Sequence, residues 1–152
     1  VKLESVTLSA KLANLDSSAF MGCEKIDSVK LNDEGSVFEF PLEWLEKYFS
    51  VPSRYGYLNL MFTPIFKDIP VWQEYVAGTN PMDPDDVFTA SIAICDGKIK
   101  ISCSPELEED ERAMRVYTTW GKKDLKDEEW GIVREGEEES FKFFKVSVKM
   151  RD

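Results

Sequence analysis

The clearest pattern along the chain is strict alternation in its second half. Phe88, Ala90, Ile92 and Ile94 alternate with Thr89, Ser91, Ala93 and Cys95, and Ile99, Ile101 and Cys103 alternate with Lys98, Lys100 and Ser102. Between the two runs stands Asp96-Gly97, a dipeptide suited to a two-residue turn with positive φ at both positions. The pattern predicts a β-hairpin with one apolar face, in which Ala90 faces Cys103, Ile92 faces Ile101, Ile94 faces Ile99 and Cys95 faces Lys98. Arg115–Trp120 reads as a strand with Val116 inward and Tyr117 outward. Phe141–Met150 reads as another. Its apolar parity changes between Phe143 and Phe144, as a β-bulge would make it.

The first half mixes periods. Val6, Leu8, Ala10 and Leu12 alternate, and Val29–Leu31 and Val37–Phe40 read as two strands joined by the turn Asn32-Asp33-Glu34-Gly35. Pro41 opens a short helix over 42–49, with Leu42, Leu45 and Phe49 on one face. Val51–Pro70 carries three prolines and reads as irregular. Val71, Trp72, Tyr75 and Val76 have helical spacing over 71–77, and Gly78 is a natural stop. Thr79–Asp86 reads as a linker or turn, which divides the chain into a mixed β and helical part over 1–80 and a β-sandwich-like part over 87–152, either separate or packed as one globular unit. The expected fold is mostly β: an antiparallel β-sandwich of immunoglobulin or fibronectin type, with two short helices. The acidic runs at 106–111 and 135–139 read as solvated loops, because clustered like charges repel.

Composition narrows the chemistry. The chain has 152 residues, 19 Lys and Arg against 29 Asp and Glu for a net charge of −10, three cysteines and no histidine. That length can bury roughly 70% of its unfolded surface without a metal or disulfide. Dispersed, outnumbered basic residues argue against nucleic acid and against an anionic membrane. Without histidine the usual Ser-His and Cys-His nucleophiles cannot be built. The longest uncharged stretch, Tyr55–Phe66, is 12 residues, too short to span a bilayer. No stretch reads as a signal peptide, and a sequence starting at Val1 reads as a mature or excised piece of something longer.

The segment Val71-Trp72-Gln73-Glu74-Tyr75-Val76-Ala77-Gly78-Thr79-Asn80-Pro81-Met82-Asp83-Pro84-Asp85-Asp86 resembles the "EYLAGTDPTDP" segment of thrombospondin type 3-like calcium repeats in secreted bacterial proteins. Val116-Tyr117-Thr118, Trp120-Gly121-Lys122 and Trp130 resemble the small β-rich C-terminal modules such segments precede, and Pro41-Leu42-Glu43-Trp44-Leu45 resembles their "IPDSWLEKY" entry. The resemblance covers roughly 100 of the 152 residues. It implies a non-catalytic accessory part, located in a secreted or cell-surface protein, often a polysaccharide-degrading one. Where those repeats carry an Asp-x-Asp-Gly-Asp-Gly loop, this chain has Thr63–Pro70, with Asp68 as the sole carboxylate. The remaining candidates for a structural calcium are Asp83, Asp85 and Asp86, since calcium takes six to eight oxygens; turn capping by the same side chains is the plainer reading.

The aromatics are the functional clue. A sugar offers C–H faces that stack on flat rings and hydroxyls that need polar neighbours. Trp130, Tyr117, Tyr55 and Tyr57 are the expected carbohydrate-binding rings, whereas Trp44, Trp72 and Trp120 are expected in the core. Glycoside hydrolysis needs two carboxylates at set spacing, which 29 acids meet by chance. The expectation is therefore no enzyme and no cofactor, but a carbohydrate-binding module that takes a neutral plant-type polysaccharide on exposed aromatics, the net charge disfavouring polyanions. The alternative is a structural or attachment module of a large bacterial surface protein. Cys95 and Cys103 fall on opposite faces of the expected hairpin, five pairs apart, so no disulfide joins them and Cys103 is expected as a buried thiol.

Overall fold

The computed structural model describes residues 3, 5–13, 15, 16 and 18–151. The described residues are β-rich with four short helices, and their strands form three small sheets. It divides into two compact units. The first runs through Tyr75 and includes Asn80–Asp86; the second comprises Val76–Thr79 and Val87–Arg151.

In the first unit β1 (Thr7–Ser9) lies parallel to β2 (Ser28–Asp33), which pairs antiparallel with β3 (Ser36–Pro41). The turn is Glu34-Gly35, with φ of +52° and +95°, and the Gly35 N–H donates to Asn32 Oδ1 at 3.0 Å. Two positive φ values are what a two-residue hairpin with right-handed strand twist requires. Alternation then decides burial: Val29 and Leu31 on β2 and Phe38 and Phe40 on β3 are buried, their neighbours are not. Helix α1 (Leu42–Glu46) follows directly and buries Leu42 and Leu45. It is shorter than the expected 42–49, and its end tightens into a turn in which the Phe49 N–H reaches Leu45 O.

The expected irregular segment contains a helix, α2 (Arg54–Leu60). Tyr57, Leu58, Met61 and Phe62 are buried, the i, i+1, i+4, i+5 stripe of a helix face continuing into its last turn. Prolines at 52, 64 and 70 stand outside it, so they bound the helix rather than forbid it. Helix α3 (Val71–Ala77) matches its expected span. Gly78 ends it at φ +77°, where an added Cβ would lie 2.7 Å from Leu107. Around Tyr75 the rings interlock: Phe40 at 4.9 Å and Trp44 at 5.4 Å, both edge-on. Among the described residues the buried indole N–H of Trp72 has no hydrogen-bond partner, a cost this core carries.

In the second unit β4 (Thr89–Cys95) and β5 (Lys98–Ser104) form the hairpin in the expected register, turning at Asp96 (φ +51°) and Gly97 (φ +76°). Cys23, Cys95 and Cys103 are free thiols. Part of the first acidic run is helical, α4 (Glu109–Ala113). Its three first-turn carboxylates remain in water and complement the helix dipole. A three-stranded sheet follows, in the order β7 (Gly131–Ile132), β6 (Arg115–Lys122), β8 (Phe143–Met150). The guanidinium of Arg115 is buried; it donates to Val76 O at 2.9 Å and Glu111 O at 2.5 Å.

Two expectations about this sheet are corrected. First, β8 pairs with β6 without a bulge, from Phe143 opposite Lys122 to Met150 opposite Arg115. The two parities arise because Phe143 stands on the face of Lys145, Ser147 and Lys149, opposite to that of Phe144, while Phe141 is not in the strand. It caps a 3-10 turn at Glu138–Ser140, and its ring covers Gly121, where a Cβ would sit 2.6 Å from the ring. Second, Tyr117 faces the apolar side. It stands opposite Val148, in line with Thr119–Val146 and Gly121–Phe144, whereas Val116 stands opposite Lys149. The partner strand set the face, since a sheet has one parity for both.

Candidate functional site

The register of β6 and β8 gives their sheet two chemically different faces. One face presents Arg115, Tyr117, Thr119 and Gly121 beside Phe144, Val146, Val148 and Met150. The other presents Val116, Thr118, Trp120 and Lys122 beside Phe143, Lys145, Ser147 and Lys149.

Tyr117 and Trp130 are separated by this division. Tyr117 stacks on Phe88 (centroids 6.4 Å apart, planes at 23°) and lines a groove of about 630 Å³ with Ile101, Cys103, Thr119 and Val146, flanked by Arg112. Cys103 is thus half-buried at a groove wall rather than enclosed. Desolvation pushes its thiol pKa up, with Arg112 opposing. Trp130 lies instead against the opposite face, under the ammonium groups of Lys145 (4.8 Å from its centroid) and Lys122 (5.2 Å). Tyr55 and Tyr57 are on α2, in the other unit. Tyr55 is half-buried. Tyr57 is 7% exposed and its hydroxyl donates to Phe49 O at 3.2 Å, so its ring has no face to offer a sugar. Tyr117 and Trp130, on opposite faces of one sheet, do not share a groove.

The ring that joins Trp130 is Trp120, expected in the core. It is half-buried on β6, its indole N–H donating to Ser147 Oγ at 3.0 Å. Lys145 lies 5.7 Å from its centroid, so one ammonium bridges both tryptophans and their centroids lie within the sum of the two distances, 10.5 Å. Trp72 is buried as expected, and Trp44 is half-buried against Phe40, Tyr48 and Tyr75. Exposed cation–π contacts are worth about 0.5–1 kcal/mol each. A ligand can therefore displace a lysine from these rings at small cost. The signal that could have found Trp120 was its parity: it alternates with Tyr117 and Thr119, and Lys145 and Lys149 share the opposite parity to Phe144, Val146 and Val148 on β8.

The calcium candidates are arranged as a turn. Asp83 Oδ1 accepts the Asp85 N–H at 2.9 Å, and Asp86 Oδ2 accepts the Asn80 N–H at 2.7 Å. The cation at the centre of this region is a side chain. Lys67 Nζ lies 2.9 Å from Glu74 Oε2 and donates to Asn80 O at 3.0 Å and Asp86 O at 2.7 Å. Both charged side chains are nearly enclosed, Lys67 at 10% and Glu74 at 4% exposure. Among the described residues no group of three or more His, Cys, Asp or Glu is placed to hold a metal ion. Nor is any described helix long and apolar enough to cross a membrane.

Compared with family models, curated proteins and solved structures, the chain matches none.

Proposed function

We propose that this chain is a non-catalytic carbohydrate-binding module of a secreted or surface bacterial polysaccharide-degrading protein. The hairpin and the three-stranded sheet would be the two layers of an open sandwich, and the ligand a plant-type polysaccharide. The observation that carries the reading is the pair of half-buried rings, Trp120 and Trp130, on a sheet face that also offers the hydroxyls of Thr118 and Ser147. Flat rings take the C–H faces of sugars, and nearby hydroxyls and ammonium groups take their oxygens. The resemblance of Val71–Asp86 to segments that precede accessory modules supports the same reading. Affinity electrophoresis against a panel of soluble polysaccharides tests it. Retardation by at least one polymer, lost in both Trp120→Ala and Trp130→Ala with unchanged circular dichroism, is the expected result. Retardation that survives both substitutions would remove the site, and none at all would remove the function.

A second reading, an attachment module, is favoured by one observation. Ile92 and Ile94 on β4 are 52% and 77% exposed, an apolar strip on a strand that carries no charge. A monodisperse monomer at high concentration, unchanged by Ile94→Lys, would count against it.

A further inference from the structure

We propose that the polysaccharide taken by this face is anionic, a polymer bearing carboxylate or sulfate on its sugars. The inference rests on the carbohydrate-binding reading above and specifies its ligand. The expectation of a neutral ligand came from a net charge of −10, but that charge is unevenly divided. Residues 87–151 hold 12 Lys and Arg against 14 Asp and Glu, a net of −2. The rest of the chain therefore carries −8.

Within the second unit the imbalance reverses locally. The 16 residues of β6 and β8 contain four cations, Arg115, Lys122, Lys145 and Lys149, and no carboxylate. Three of the four lie on the face of Trp120. No ion pair among the described residues involves Lys122, Lys145 or Lys149. Their contacts are of another kind: Lys122 donates to the carbonyl of Asp127, and Lys122 and Lys145 lie over the tryptophan rings.

Register turns this into a ladder. Trp120–Lys145, Thr118–Ser147 and Val116–Lys149 are successive rungs of one face. Two residues of strand advance about 6.7 Å, so Lys145 and Lys149 stand roughly 13 Å apart with hydroxyls between them. A ring, a cation, two hydroxyls and a second cation in line suit an extended polymer whose charges repeat along it. Such a ligand would draw Lys145 off the rings into charge-assisted hydrogen bonds, stronger than neutral ones. The loop Asp124–Glu129 bounds the ladder at one end. Its Asp127 carboxylate is occupied by the N–H groups of Lys123 and Asp124, at 3.1 and 2.9 Å, while Glu128 and Glu129 are exposed and repel anions there. The chain of a polyanion is thereby directed along the strands toward Lys149.

The test is titration of the full chain with polygalacturonate, dextran sulfate and two uncharged polymers, dextran and a mixed-linkage β-glucan. The expected result is binding to one or both charged polymers, weakening about tenfold between low salt and about 0.3 M NaCl. Lys145→Gln/Lys149→Gln should weaken it by a similar factor while the thermal midpoint stays in place. Polygalacturonate alone would assign carboxylate, and dextran sulfate alone would assign sulfate. Preferential, salt-insensitive binding to an uncharged polymer, lost in Trp120→Ala, would overturn the anionic assignment and leave the carbohydrate reading standing. Charged-polymer binding that ignores the lysine pair would overturn the site, and failure to bind any polymer would overturn both readings.

Discussion

The two units differ in what they do with apolar side chains. Among the described residues, 16 of the buried apolar side chains, Pro81 included, belong to the first unit and four to the second. The first closes Phe40, Leu42, Leu45, Leu58 and Met61 around one core. The second leaves Ile92, Ile94, Leu125 and Ile132 more than half exposed and keeps a groove between β5 and the face of Tyr117. Strand pairing contributes order to both. Only in the first do strands and helices present their apolar faces to each other fully. A hairpin is marginal by itself and needs a covered face or further strands for stability. The difference separates a part closed around its core from a part that leaves apolar surface open.

The largest test of that contrast is truncation on either side of it. Phe40→Ala should destabilise the protein by about 3–5 kcal/mol, the range for emptying an aromatic site in a packed core. Ile94→Ala should change stability by less than about 0.5 kcal/mol, as exposed positions do. Urea denaturation of both variants measures this, and equal losses would erase the distinction.

Lys67→Met should come next, at about 3 kcal/mol, because it leaves the Glu74 carboxylate enclosed without its cation. Adding Glu74→Gln should return part of the loss. A single variant as stable as the parent would show that Glu74 has other adequate partners.

Gly121→Ala probes the second unit's small packed corner, where the new methyl meets Phe141 and Val133 at 2.6 and 2.8 Å. Overpacking of this kind costs about 1–3 kcal/mol. The double variant Gly121→Ala/Phe141→Ala, if it melts above Gly121→Ala, would confirm that the clash is the cause.

The smallest effect is chemical. Cys95 is exposed and Cys103 half-buried, its thiol pKa raised by desolvation. Iodoacetamide should label Cys95 before Cys103, and the Cys103 rate should go on rising at pH above the ordinary thiol range. The sign for stability follows from the raised folded-state value. The contribution of Cys103 is whole below the unfolded thiol pKa and is lost as pH rises through the folded one. Peptide mapping that finds Cys103 labelled first would contradict the burial.

Much of the local structure was legible. The β4–β5 register followed from counting outward from Asp96-Gly97, since a two-residue turn leaves no freedom in the pairing. Helix α3 and its Gly78 stop were legible for the same local reason. Helix α2 was missed because flanking prolines obscured the stripe Tyr57, Leu58, Met61, Phe62, and the site was misread in consequence: Tyr57 went into the core. Trp120, expected in the core, is half-buried on the face it shares with Lys145. A single strand of mixed residues states two parities without saying which is inward.

The sequence by itself determined turns, periods and the chemistry on offer: a histidine-free acidic chain rich in rings, with a hairpin whose partners can be counted. These are properties of residues close along the chain, where backbone sterics and spacing leave few choices. The tertiary structure decided which face of β6 meets β8, that Lys67 holds the oxygens of Glu74, Asn80 and Asp86, and that Trp120 and Trp130 share a lysine. Those pairs are 10 residues or more apart in at least one member, and nothing local distinguishes them from their neighbours. Their association depends on which apolar faces bury each other, a choice made by the folded chain as a whole.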